Sequence, residues 1–159
     1  MRRPGAGRII TLDMALYDDL AGDRILIITG ATLRAEEMDR PLAYGLAEVI
    51  RARLNETATR QPLVMSDIGY LNCDTLHKTP AVSIGGPGVN AVAQYWLKRL
   101  PNVLEVDDVL LIQMDLSIDD LRCSIWGYDH DTTVEALEIF TEKGYLDRFL
   151  EGVGEWNPP

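Results

Sequence analysis

Four consecutive apolar residues, Ile25-Leu26-Ile27-Ile28, constrain this chain more than any other feature. A strand with one buried face alternates apolar and polar side chains. A strand that is apolar at every position has both faces covered. Arg24–Thr29 therefore reads as a central parallel strand with helices on either side. A parallel neighbour needs a crossover of about a dozen residues or more, so helical segments should separate the strands that follow.

They do. Pro41 opens a helix, where proline is favoured in the first turn, and Leu42, Leu46, Val49, Ile50 and Leu54 fall on one face. Pro62–Asp67 is the next strand and Ile68–Thr79 is irregular. Ala81–Gly85 is a third strand. Pro87 starts a second helix, striped by Val89, Val92, Ala93, Trp96, Leu97 and Leu100 and stopped by Pro101. Val109–Met114 and Leu121–Gly127 are strands joined too closely for a parallel crossover, so they are antiparallel neighbours or are separated by a strand from elsewhere. Thr132 and Glu135 have capping-box spacing and open a last helix, which Gly144 ends or breaks before a second piece, Tyr145–Val153. Ile9–Leu12 is a further short strand.

The expected fold is one α/β domain over 1–159: a Rossmann-like three-layer sandwich with a mostly parallel, mixed sheet and helices on both faces. The ends, about 1–7 and 154–159, are expected to be loosely held, with Trp156 on the tail.

Composition narrows the partners. A net charge of −10 argues against a nucleic-acid surface and against docking on an anionic membrane. No apolar run reaches the ~18 residues of a membrane span, and no secretory signal follows Arg2 and Arg3. Two cysteines, Cys73 and Cys123, are too few for a disulfide scaffold. A soluble, cytoplasmic protein is the expectation.

In such sheets, ligands bind beyond the carboxyl ends of the parallel strands. That edge should gather Thr29 and Gly30, Asp67, the turn Gly85-Gly86-Pro87-Gly88-Val89-Asn90, and Gly127-Tyr128-Asp129-His130-Asp131. The glycine-rich turn feeds a helix N-terminus and suits an anion. Thr29, Gly30, Gly85, Gly86, Gly88 and Asn90 are thus candidate ligand contacts. The turn is neither a dinucleotide fingerprint nor a Walker loop, and it serves strand–helix packing equally well. Asp67, Cys73, His77, Asp129 and His130 are candidate acid–base, nucleophilic or metal-binding groups. Their spacing matches no short zinc signature, so no metal is assigned, and no cofactor is named.

The segment Gly85-Gly86-Pro87-x-x-Asn90, a helix, a strand ending in Gly127-Tyr128-Asp129, and Thr132-Thr133-x-Glu135-Ala136 resembles the Rossmann-like domain of archaeal S-layer and related cell-surface proteins. The resemblance spans Ala81 to about Phe140. It implies a structural or assembly module without catalytic residues, in which Gly85, Gly86, Pro87, Asn90, Gly127 and Thr133 hold the turns together. The chain departs from that family in showing no signal peptide and no anchor.

Two functions follow as expectations. The first is a non-catalytic binding or assembly module, with a homo-oligomer or protein partner. The alternative is a small-molecule enzyme or sensor that binds a phosphate- or carboxylate-bearing ligand at Gly85–Asn90.

Overall fold

A computed structural model describes residues 22–154 of the chain. The strand expected at Ile9–Leu12, the N-terminal end at 1–7 and the tail residues 155–159, Trp156 among them, lie outside the described residues.

The described residues form a six-stranded mixed sheet in the order β2-β1-β3-β6-β5-β4. Its strands are β1 (Arg24–Thr29), β2 (Gln61–Ser66), β3 (Ala81–Ile84), β4 (Asn102–Val106), β5 (Leu110–Met114) and β6 (Arg122–Gly127). β1 pairs in parallel with β2 on one side and β3 on the other, and β6 extends the parallel run. β5 is antiparallel to β6, and β4 is antiparallel to β5. The continuous apolarity of β1 has its predicted meaning. Ile25 and Ile27 enter one core cluster and Leu26 and Ile28 the other, all fully buried.

The two clusters define the layers. On one face lie α1 (Leu33–Arg53), α4 (His130–Glu142) and α5 (Tyr145–Val153), packed through Leu46, Ile50, Phe140 and Phe149. On the other lie two short helices, α2 (Asp67–Leu71) and α3 (Ala91–Trp96), and a 3-10 turn at Asp74–Lys78, packed through Tyr70, Leu76 and Trp96.

Four local expectations are corrected. α1 begins at Leu33, not at Pro41, because Thr32 caps it by accepting from Ala35 N at 3.2 Å. Pro41 is an exposed residue inside the helix. The buried stripe Ala35, Asp39, Ala43, Leu46, Ala47 and Ile50 holds the helix through the proline. α3 begins after Asn90 rather than at Pro87, which sits in a turn closed by Asn90 N to Gly86 O at 2.9 Å. β4 is an edge strand that the sequence reading passes over. The helix at 130 is capped by Asp129, not Thr132. Asp129 accepts from Thr132 N at 2.9 Å, and the Thr132 hydroxyl accepts from Asp129 N at 3.0 Å. Thr132 therefore answers the capping box rather than opening it. Gly144 (φ 92°) does divide α4 from α5, and Gly154 closes α5 as its C-cap.

The chain places β2 on one side of β1 and then returns to place β3 on the other. Such a reversal leaves a crevice at the carboxyl ends. Here the crevice is closed directly over β1. A Cβ on Gly30 would lie 1.8 Å from Val89 O, so the turns after β1 and β3 touch backbone to backbone. Open space remains one strand further along, between the ends of β3 and β6.

Candidate functional site

The open space is a cavity of about 350 Å³, within the range of small-molecule sites. Its floor is the turn Gly85–Val89. One wall is the start of α1, with Arg34, Met38 and Asp39. The other is the end of β6 and the start of α4, with Trp126, Gly127, Tyr128, Asp129, His130 and Thr133.

Each wall is held by local chemistry. Gly85 has φ +105°, a conformation L side chains rarely adopt, and a Cβ there would meet Asp39 Oδ2 at 2.7 Å. The α1 carboxylate therefore lies directly against the turn. Thr133 Oγ1 accepts from Gly127 N at 2.9 Å and donates to Asp129 O at 2.8 Å, tying α4 to β6. Asn90 is the internal brace. It is 1% exposed, and its Nδ2 donates to Ser83 Oγ, Ile84 O and Ile28 O. Its Oδ1 accepts from Val92 N and Ala93 N, capping α3.

Asp39 is the anomaly. The residue is 7% exposed, and its carboxylate opens on the cavity with no described residue donating to it. Buried polar groups are usually paired, and burying a charge without a partner is costly. Burial accordingly raises its pKa above the ordinary carboxylate value, while the positive fields of His130 and Arg34 pull it back. On the facing wall, His130 Nδ1 and Trp126 Nε1 are buried without a partner among the described residues. The N–H groups of Gly86 and Gly88 likewise donate to no described residue. Asp129 differs: hydrogen bonds from Thr132 N and Thr132 Oγ1 lower its pKa, and its role as a cap occupies it.

The candidate residues therefore divide. Gly85, Gly86, Gly88, Asp129 and His130 come together around the cavity. Thr29, Gly30 and Asn90 do not line it: Thr29 is buried at the end of β1, Gly30 packs on Val89, and Asn90 is spent on backbone groups. Asp67, Cys73 and His77 also lie away from it. Asp67 accepts from Ile68 N at 2.7 Å and from Ala91 N at 2.8 Å, bracing α3. Cys73 Sγ sits 3.1 Å from Thr75 Oγ1. His77 Nε2 lies 3.0 Å from Tyr70 O, and its ring packs on Tyr70, whose buried hydroxyl is pushed up to about 12. Among the described residues, no three His, Cys, Asp or Glu side chains gather as a metal ion would need, and no helix is long and apolar enough to cross a membrane.

Arg34, Met38, Asp39 and Trp126 are lining residues that sequence reasoning does not place at this edge. Asp39 carries a signal: it is an acidic residue four positions from Ala35 and from Ala43 on a buried stripe. Starting the helix at Pro41 leaves it outside the helix and hides that signal. No protein-family model matches the chain, and no curated protein matches it at a significant level.

Proposed function

We propose that this chain is a small-molecule binding protein, a sensor or an enzyme, whose ligand places an anionic group at the Gly85–Val89 turn. The observation that carries the reading is Asp39, a largely buried residue whose carboxylate lies against Gly85 and lines the cavity, with no described residue donating to it. A ligand hydroxyl or ammonium would supply the missing donor. The N–H groups of Gly86 and Gly88, the side chain of Arg34 and the first turn of α4 would receive the anion. The ligand is thus a phosphate or carboxylate with a hydrogen-bond donor beside it. An enzyme working here would use Asp39 and His130, two titratable groups on facing walls, as its proton carriers.

Thermal unfolding in the presence of glycerol phosphate and of lactate tests the reading. Each has an anion next to a hydroxyl. A ligand bound only to the folded state stabilises it by about 2.7 kcal/mol at a hundredfold excess over Kd, which reads as a midpoint rising with concentration. Gly86→Val should lose the shift and keep the fold, because a Cβ there meets Trp126 Cε3 at 3.4 Å and the rest of the side chain enters the cavity. No shift with either compound, or a shift unchanged in Gly86→Val, ends this reading.

A further inference from the structure

A second cavity, of about 320 Å³, opens on the same sheet edge. Strand direction puts it there. β5 runs against β6, so the start of β5 stands beside the end of β6, with Leu110 opposite Gly127 and Leu111 opposite Trp126. Tyr128 N donates to Val109 O at 2.8 Å and locks that register past the strand ends. The cavity is lined by Val106, Val109, Leu110 and Leu111, with Glu105 and Asp108 at its rim, and it shares Trp126 and Tyr128 with the first cavity. The two spaces adjoin across these two aromatic side chains.

We propose that the two cavities form one site for a monocarboxylic acid, its carboxylate and a neighbouring hydroxyl in the first cavity and an apolar tail lying over Trp126 and Tyr128 in the second. The inference rests on the small-molecule reading of the first cavity. Four observations carry it. The first cavity offers one cationic side chain of fixed charge, Arg34, and two carboxylates, Asp39 and Asp129. Arg34 can offset one negative charge, and the two carboxylates oppose a second, so a carboxylate is tolerated better than a phosphate dianion. The walls of the second cavity are aliphatic and aromatic, so an apolar tail gains by leaving water. Glu105 and Asp108 repel a second anionic group at that end, so the tail is uncharged. Tyr128 is 80% exposed and Val106 is 42% exposed, large apolar groups left in water unless a ligand covers them.

Isothermal titration of the full chain with lactate, 2-hydroxyoctanoate and glycerol phosphate tests this. 2-Hydroxyoctanoate keeps the head of lactate and adds methylenes, each worth roughly fourfold in affinity when buried. It should bind at least about a hundredfold more tightly than lactate. Val106→Asp should abolish that gain while leaving lactate affinity unchanged. Val109→Ser, at a half-buried residue that lines the second cavity alone, gives a second variant with the same expected result should Val106→Asp not fold. Equal affinity for the two acids overturns the inference and leaves the small-molecule reading in place. So does binding of glycerol phosphate without either acid. A gain that persists in the variants places the tail elsewhere and also overturns it. Silence from all three compounds removes the small-molecule reading, and this inference with it.

Discussion

Asp39 and Asn90 show what burial does to a polar side chain in two settings. Asn90 uses both ends of its amide, bracing β1, β3 and α3 from one point, so its burial costs little. Asp39 is nearly as buried and has no such partners. Its pKa is raised, so the fold binds a proton at this carboxyl more tightly than the unfolded chain does. The sign follows. The stability contributed by the protonated form is fully present below the ordinary carboxylate pKa and is lost as pH rises through the folded value. Asp39→Asn, which mimics the neutral acid, should therefore raise the thermal midpoint at about pH 7, and the advantage should shrink toward about pH 4. Midpoints of the two proteins across that range check this. A pH-independent difference would mean that charge burial at Asp39 is not the cause.

At the scale of elements, α1 sets the cavity. Its first two turns reach beyond the sheet edge and carry Arg34, Met38 and Asp39, while its later turns pack Leu46 and Ile50 on the core. Pro41 lies between the two parts. It has no N–H to offer the Glu37 carbonyl, and its ring crowds that carbonyl. The helix persists because Thr32 caps it and its buried stripe continues on both sides of the proline. Pro41 is exposed, so replacing it removes no core packing. Pro41→Ala should stabilise the chain by about 2 kcal/mol, the helix-interior penalty of proline less the entropy it removes from the unfolded state. Urea titration measures this through the midpoint at constant slope. An unchanged or lower midpoint would show that the break at Pro41 is already accommodated, for instance to aim Asp39 at Gly85.

At the scale of the molecule, β1 joins two cores that no helix bridges. Because its side chains alternate between the clusters, loss of packing on one face should be felt on the other. Phe140→Ala, at a fully buried site under α4, should cost about 3–5 kcal/mol. For a chain of this size that lowers the midpoint by about 10 °C. In a background where Trp96 is the sole tryptophan, its fluorescence reports the opposite face. The Trp96 signal and far-UV circular dichroism should fall together at the lowered midpoint. Separate transitions would mean that the two faces unfold independently.

Local patterns in the sequence determine much of this architecture. The unbroken apolar run of β1 specifies a central strand, and the six residues between Met114 and Leu121 leave no room for a parallel crossover. The glycines of 85–88 mark a turn at the ligand-facing edge. These are legible because each rests on neighbours a few positions apart. The partners of the candidate polar residues are not of that kind. Asp67 and Asn90 carry chemistry suited to a site, yet the fold spends them on backbone groups of α3 and β3. Asp39, behind an interior proline in the sequence, is placed against Gly85 by the packing of α1 on the sheet. Trp126 joins the two cavities only because β5 pairs with β6 in one register. Spacing along the chain can specify a strand, a turn or a cap. Which buried carboxylate is left without a partner depends on contacts between residues far apart in sequence, and only the tertiary structure decides those.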